Sequence, residues 1–136
     1  MGEVNVEITL KNNADLIRAS DGIITEQDVR SRVVNAVVDT GAMTLVIGDE
    51  LRKNLGLEIV ESRTVALAGG STAKCNVAEL VEIWWKDRVS FIRPLVLPDE
   101  KEVLLGVIPL EDMDLMVDPV NNTLVGVHGD KIISRI

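Results

Sequence analysis

The sequence predicts an all-β protein, a closed barrel of short strands with one or two short helices. Apolar and polar residues alternate over short stretches such as residues 4–10, which is the pattern of a half-buried strand. Turn signals rich in Gly, Asn and Asp recur at small intervals between these stretches. Helical patterns are confined to short segments, and this combination is typical of a compact β-barrel or sandwich.

The expected strands, in chain order, cover residues 4–10, 15–19, 33–38, 44–47, 59–68, 77–85, 88–97, 103–106, 115–118, 123–127 and 131–136. The sixth and seventh are expected to form one long hairpin around Lys86 and Asp87. Trp84 and Trp85 must point to opposite faces of their strand, so one of them is expected in the core.

Two short helices are expected, over residues 49–56 and 109–113. In the first, acidic residues occupy the first turn and basic residues the last turn, which suits the helix dipole, and Gly56 suits a left-handed end. Residues 23–32 have no clear pattern and fit either a helical turn or a loop. The glycine pair 69–70 lies between two strands and predicts a mobile hairpin tip.

Length and charge restrict the class of protein. At 136 residues the chain fits a single domain, 1–136, with an N-terminal extension of strands (1–32), a core (33–118) and C-terminal strands (119–136). The net charge of −8, with no Lys/Arg cluster, argues against nucleic acid or an anionic membrane as a partner. Cys75 is the single cysteine, no apolar run has membrane-spanning length, and no signal peptide is recognised, so a cytoplasmic location is expected.

The sequence lacks the residues that most catalytic mechanisms require. Serine and cysteine triads need a histidine base, and His128, the only histidine, lies in a Gly-flanked turn that indicates a structural role. Metal sites built on imidazole or thiolate lack ligands for the same reason, so no metal and no cofactor are expected. Asp112, Asp114 and Asp118 lack the spacing of a calcium loop and are expected on a solvated face.

Carboxylate chemistry remains, centred on Asp39. The apolar run 33–38 predicts a strand buried on both faces, and it ends abruptly in Asp39, Thr40 and Gly41. A carboxylate placed at the end of a buried strand suggests a site, because an unpaired buried charge is costly. The alternative is an ordinary Asp-x-Gly turn that leaves a strand.

A single carboxylate cannot be both acid and base in one step. Two carboxylates about 3 Å apart can, because like charges at that distance hold one proton between them. The sequence contains one Asp-Thr-Gly, so the second carboxylate would come from a second copy across a two-fold axis.

The residues around Asp39 and a second motif downstream resemble the motifs of a known protein family. The segment 37–42, Val-Val-Asp-Thr-Gly-Ala, resembles the active-site motif of retropepsin-like (clan AA) aspartic proteases, in particular their small single-domain prokaryotic type. Downstream, 103–106 is similar to the family's second signature, two apolar residues and a Gly that lead into a short helix. Between them, 67–71 occupies the place of the family's flap, and 80–97 that of its long hairpin. The resemblance implies an acid-protease fold, a homodimer and a peptide or protein substrate.

The resemblance also implies a role for each matched residue. Asp39 would be catalytic, with Thr40, Gly41 and Ala42 supporting it and the Thr40 hydroxyl bonding across the two-fold axis. Leu104 and Leu105 would buttress the Asp39 loop, and Gly106 would permit their close packing. The flap that closes over the substrate would comprise Ala68, Gly69, Gly70, Ser71 and Thr72, and the loop 98–103 would edge the side-chain pockets.

The sequence departs from the family pattern at two places, and each departure leads to an expectation about this protein. Ala42 lacks the hydroxyl that pepsin-type members have after Asp-Thr-Gly, so the pH optimum is expected to be less acid than pepsin's. The segments 43–45 and 107–109 lack the acid and the Arg of the retroviral ion pair, so the helix after Gly106 is expected to dock through apolar contacts.

Three functions fit the sequence. The first is an aspartic endopeptidase that forms its dyad across a homodimer. The second keeps the fold without catalysis, as a weak or inactive dimeric peptide-binding or regulatory module. The third is an unrelated β-barrel interaction protein in which Asp39 only caps a turn.

Overall fold

Strands dominate the computed structural model, which describes residues 3–136. Strands hold 46% of the chain and helices 17%, so the all-β prediction is confirmed. The strands are β1 (Asn5–Asn12), β2 (Ser31–Val38), β3 (Leu45–Gly48), β4 (Ile59–Ala66), β5 (Thr72–Ala78), β6 (Val81–Trp85), β7 (Arg88–Ile92), β8 (Leu95–Leu97), β9 (Val103–Leu105), β10 (Leu115–Asp118) and β11 (Thr123–Gly126). The three α-helices are α1 (Asn13–Ser20), α2 (Asp49–Asn54) and α3 (Val107–Asp112), and a 3-10 turn covers Glu26–Asp28.

Nine strands form one curled sheet in the order β4-β5-β8-β3-β9-β2-β1-β6-β7. Within residues 3–136 the two edge strands, β4 and β7, do not pair with each other, so the expected closed barrel is instead an open half-barrel. At the β4 edge almost all residues of the strand are exposed, and β4 pairs only with β5 among the described strands.

The core lies on one face of this sheet. The inward residues of β1 alternate with outward polar ones, so Val6, Ile8 and Leu10 are buried. β2 follows the same alternation, with Ala36 buried and Val33 62% exposed, and the prediction that this strand is buried on both faces is wrong. Only one face of the curled sheet is covered by the rest of the protomer.

Residues 15–19, expected as a strand, belong to helix α1. The Asn12 side chain accepts a hydrogen bond of 3.0 Å from the Asp15 backbone N–H and thereby caps the helix. Asp15 is buried at the first turn, where Arg30 donates to both of its carboxylate oxygens at 2.8 and 2.9 Å. The helix has a local cap at Asn12, but the contact of its first turn with Arg30 joins residues 15 positions apart and has no local signal.

The expected long hairpin is divided into two pairs of strands. The turn at Lys86 and Asp87 is confirmed between β6 and β7, but the arms are interrupted after Ala78 and after Ile92. Pro94, which has no backbone N–H, stands in the second interruption. The chain bends there, so β6 pairs with β1 while β8 pairs with β3 and β5.

Other local predictions have mixed outcomes. The helix before Gly56 is confirmed, and Gly56 has the left-handed φ of 66°. Trp85 is in the core, whereas Trp84 is half-buried and its Nε1–H donates to Glu82 at 2.8 Å. Residues 131–136 do not form a strand; a single bridge joins His128 to Lys131. No helix in the described part of the chain is long and apolar enough to cross a membrane.

Candidate active site

The loop after β2 holds the Asp39 carboxylate in a fixed place. The Asp39 backbone N–H donates to the Leu105 carbonyl of the neighbouring parallel strand β9 at 3.0 Å, and the Ala42 N–H donates back to the Asp39 carbonyl at 3.1 Å. The Gly41 N–H donates to Asp39 Oδ1 at 2.9 Å, which orients the carboxylate. The side chain is half-buried, so it is oriented by the backbone and still open to a ligand.

The start of α3 clamps this loop. Successive backbone N–H groups of Gly106, Val107 and Ile108 donate to the carbonyls of Thr44, Ala42 and Met43, at 3.0, 2.9 and 2.8 Å. The start of helix α3 is thus docked by main-chain hydrogen bonds. The sequence predicted docking through apolar contacts; Pro109 and Leu110 of the helix are buried, but the hydrogen bonds at its start were not predicted.

Gly106 allows the two segments to approach. A Cβ atom at this position would lie 2.4 Å from the Thr44 carbonyl oxygen and 2.5 Å from that of Ala42. No side chain fits there without displacing the backbone that carries Asp39. Leu105, the residue before it, is fully buried beneath the loop, whereas Leu104 is half-buried and faces the cleft.

Asp39 lies in an open, largely apolar cleft of about 650 Å³. The cleft is lined by Asp39, Gly41, Ala42, Met43, Thr44, Val46, Val65, Ala66, Leu67, Ala68, Leu95, Leu97 and Leu104. Of these described residues, Asp39 is the one with an ionisable side chain. The cleft therefore offers apolar walls for an extended ligand and a single carboxylate for chemistry.

The β4–β5 hairpin forms one wall of the cleft, and its tip contains the predicted flap residues. Leu67 N–H donates to the Ser71 carbonyl at 2.8 Å, and Gly69 and Gly70 have φ values of 90° and 89°, which favour glycine. Ala68 lines the cleft, whereas the residues from Gly69 to Thr72 are exposed beyond it. Thr40 is also exposed and lies outside the cleft lining.

Val46 and Leu95 line the cleft but were not found from the sequence, which named only Leu104 of this group. The three come together because β3 pairs with both β8 and β9, with Val46 opposite Leu95 on one side and Leu104 on the other. This long-range register has no local signal. The loop between Leu97 and Val103, expected at the pocket edge, lines a separate cavity of about 420 Å³ against Val34, Gly48 and Leu51.

One further side chain departs from the sequence interpretation. Asp114, expected on a solvated face, is buried, and its Oδ2 is 2.6 Å from His128 Nδ1. That contact confirms a structural partner for the single histidine. Among residues 3–136, no group of three His, Cys, Asp or Glu side chains is arranged to hold a metal ion.

The fold and the Asp39 loop define a class of protein, which comparison with known families identifies. The aspartyl protease family matches residues 25–107, from the 3-10 turn to the start of α3. The chain therefore belongs to this family of retropepsin-like aspartyl proteases of clan AA. Membership supports a general aspartic protease function. No curated protein shows significant similarity to the chain.

Proposed function

We propose that this chain is an aspartic endopeptidase that works as a homodimer. A water molecule held between Asp39 and the same residue of a second copy would attack the carbonyl of a peptide bond. The ionised carboxylate takes a proton from the water, while the protonated one donates to the carbonyl oxygen. The tetrahedral intermediate then collapses, and the leaving amine takes a proton from the dyad.

One observation carries this proposal. Asp39 is held by the Gly41 N–H at the floor of an apolar cleft whose described lining has no other ionisable side chain. A protomer alone has no acid to complement this base. A second copy of the chain can supply that acid, because an isologous contact places the Asp39 residues of the two copies next to each other.

The other matched residues have supporting roles in the proposal. The Thr40 hydroxyl, exposed in the protomer, would bond across the two-fold axis and fix the two loops. The flap, Ala68 to Thr72, would close over an extended peptide, which pairs with it as an added strand. We also propose one domain over 1–136, with the site in 33–118.

Asp39→Asn tests the mechanism. We expect cleavage of a peptide library by the purified protein to fall by at least about a thousandfold, and pepstatin-type inhibitors to block the wild type. Asp99→Asn, an exposed carboxylate outside the cleft lining, is the matched control and should retain activity. Cleavage that survives Asp39→Asn would refute the mechanism.

Protein concentration provides a second test. Because each site needs two chains, specific activity should rise with the dimer fraction and reach a plateau when dimerisation is complete. Activity that is independent of dilution through the dissociation range contradicts the shared dyad.

The pH dependence of the reaction is a separate prediction. The pH–rate profile should have its optimum at a less acid pH than pepsin's, as the alanine at position 42 predicts.

The second candidate is a dimeric peptide-binding module of the same fold. It is favoured by the described lining of the cleft, whose apolar walls and single carboxylate, Asp39, can bind a peptide without cleaving it. A chain that binds pepstatin-type ligands and forms dimers, but cleaves no library peptide, would be this module.

A further inference from the structure

Arg88 is a buried cation on the edge strand β7, and it does not line the cleft of Asp39. It is 5% exposed and follows directly on the turn at Lys86 and Asp87. An arginine is rarely placed in a protein interior unless its donors are paired, because a desolvated and unpaired charge is costly. The partners of this guanidinium therefore indicate what the residue does.

The guanidinium of Arg88 donates to backbone carbonyls at one end of helix α3. Its Nη1 donates to the carbonyls of Met113 and Asp114 at 2.8 and 3.0 Å, and its Nη2 donates to that of Gly129. Met113 is the capping residue at the carboxyl end of α3. A cation at this end pairs with carbonyls that have no partner within the helix, and it also suits the helix dipole.

The surrounding residues make room for this side chain. A Cβ atom on Gly126 of β11 would lie 2.4 Å from Arg88 Nη2 and 3.1 Å from its Cζ, so only a glycine leaves space for the guanidinium. The pKa of the Asp114 carboxyl is lowered mainly by its hydrogen bond with His128 and to a smaller degree by the positive charge of Arg88. The buried cation thus has hydrogen-bond acceptors, space and a nearby negative charge.

The opposite end of α3 holds the Asp39 loop. The N–H groups of Val107 and Ile108 donate to the carbonyls of Ala42 and Met43, which follow Asp39 in the chain. These hydrogen bonds tie the amino end of the helix to the loop. The position of the loop therefore depends on the position of the helix.

Helix α3 is short enough to connect its two ends rigidly. It comprises Val107–Asp112, and six residues span about 9 Å. The Leu110 N–H donates to the Gly106 carbonyl at 3.3 Å, and the Met113 N–H donates to the Pro109 carbonyl at 3.0 Å. Hydrogen bonds thus run along its whole length, and a helix of fewer than two turns has little length over which to bend. A shift of its carboxyl end is passed on to its amino end.

We propose that Arg88 is a positioning residue for Asp39, on which it acts through helix α3. The inference rests on the proposed function, in which Asp39 is the catalytic carboxylate, and it adds a residue outside the cleft to that site. Without the guanidinium, α3 keeps its apolar contacts, such as those of the buried Leu110, but loses the directional bonds that fix its carboxyl end. The Asp39 loop then moves with the helix, and the two carboxylates of the dyad lose their alignment.

Amide hydrogen exchange tests this coupling without an assay of activity. Arg88→Met keeps an apolar side chain of similar length but has no donor. In this variant the amides of Val107 and Ile108 should exchange at least about tenfold faster than in the wild type. Rates are compared with those of the amides of β1, which lies between β2 and β6 and reports unfolding of the whole sheet. Unchanged relative exchange at the two α3 amides would refute the proposal.

Arg52→Met is the matched control for a lost arginine. The Arg52 side chain is 18% exposed, donates to the Leu57 carbonyl at 2.9 Å and pairs with Asp49 at 2.6 Å, but it belongs to helix α2. Its loss should leave the relative exchange of Val107 and Ile108 within about twofold of the wild type. Faster exchange at these amides in both variants would contradict a specific role of Arg88.

The kinetic constants give a second measurement. In Arg88→Met we expect kcat to fall by about tenfold or more and KM to stay within about twofold, because the described lining of the cleft contains no residue of α3. The assay uses protein concentrations at the plateau of the dilution curve, so that a change in dimerisation does not contribute. Arg52→Met should retain the wild-type kcat.

Gly126→Ala is a second variant, which serves even if Arg88→Met does not fold. The added methyl group would press on the guanidinium and on the Gly129 carbonyl, so it displaces Arg88 while the arginine itself remains. We expect the same pattern as in Arg88→Met, with faster exchange at Val107 and Ile108 and a lower kcat. Wild-type exchange and kcat in a folded Gly126→Ala protein would count against the proposal.

The outcomes separate this proposal from the proposed function. If the wild type cleaves no peptide but the exchange at Val107 and Ile108 responds to Arg88→Met, the coupling is correct and the protease proposal is wrong. If the wild type cleaves and Arg88→Met changes neither kcat nor exchange, the protease stands and the positioning role is wrong. A loss of kcat without faster exchange in α3 would also overturn the positioning role, because Arg88 would then act by another route.

Discussion

At Gly106, a single hydrogen atom in place of a side chain keeps the Asp39 loop in position. The close approach of the carbonyls of Ala42 and Thr44 leaves no space for a methyl group. Its φ is −95°, which any residue can adopt, so the requirement is steric. The same glycine begins the set of backbone hydrogen bonds that docks α3.

Gly106→Ala should therefore damage stability and activity together. We expect a loss of about 2 kcal/mol in the free energy of unfolding, measured by urea denaturation, and a drop in kcat as the loop shifts. Gly48→Ala is the matched control, because its Cβ would meet the Glu100 carbonyl at 2.1 Å, on the side of the separate cavity. It should cost similar stability and leave kcat near the wild-type value. Equal loss of kcat in both variants would contradict this account.

Asp15 predicts a pH dependence of stability. Its pKa is lowered from 3.8 to about 2, mainly because the Arg30 side chain donates to the carboxylate, while burial opposes the shift. A depressed folded-state pKa stabilises the protein above the unfolded value of 3.8, and the contribution is lost as the pH falls through 2.

Asp15→Asn should thus be about 2 kcal/mol less stable than the wild type at pH 7, since Arg30 is half exposed and its attraction is partly screened. The difference should shrink between pH 4 and pH 2, as followed by urea denaturation at each pH. Asp99→Asn should show no such difference. A gap that persists unchanged at pH 2 would mean that Asp15 acts through packing alone.

Among the elements, the β4–β5 hairpin and helix α3 serve the site in different ways. The hairpin projects from the sheet with almost all of β4 exposed, so it is free to move relative to the body. Helix α3 is fixed at its start by backbone hydrogen bonds and packs against β7 and β10. In the proposed enzyme the hairpin would close over a ligand, whereas α3 keeps the Asp39 loop in place.

Gly70→Ala tests the mobile element. At φ 89° an alanine is strained, and we expect a cost of about 1 kcal/mol and a several-fold lower kcat/KM as the flap tip rearranges. Gly22→Ala is the control, because Gly22 has a φ of 76° in a turn after α1, outside the cleft lining. It should cost similar stability and leave kcat/KM unchanged. A loss of kcat/KM in both variants would show that strain alone explains the effect.

For the whole molecule, net charge and assembly oppose each other. The chain carries a formal charge of −8, so two copies of it repel each other, and the proposed dimer would have to overcome that repulsion. Salt screens this repulsion and leaves apolar burial largely intact.

We therefore expect NaCl to favour the dimer. Raising NaCl from about 50 to 500 mM should lower the dimer dissociation constant several-fold, as measured by sedimentation velocity. The concentration at which specific activity reaches half its plateau should fall in parallel. A dimer that weakens with salt would point to an interface held by ion pairs rather than by apolar contacts.

Features that depend on neighbouring residues could be predicted from the sequence, whereas those that depend on distant contacts could not. The Asp39 turn, the helix before Gly56 and the glycine tip of the hairpin were predicted, because turn chemistry and caps act within a few residues. Helix α1 was missed because its local cap at Asn12 was not recognised and its first turn is held by the distant Arg30. The divided hairpin was missed because β6 and β8 pair with different strands.

By itself, the sequence determined the all-β class, the family motif and the position of Asp39 at the end of a strand. These features follow from the alternation of apolar and polar residues and from short-range backbone chemistry, both of which depend on residues close together in the sequence. Only the tertiary structure decided that the sheet stays open, which leucines and valines line the cleft, and that Asp114 is buried against His128. Those outcomes depend on which strands pair and which faces are covered, and such contacts join residues far apart in the chain.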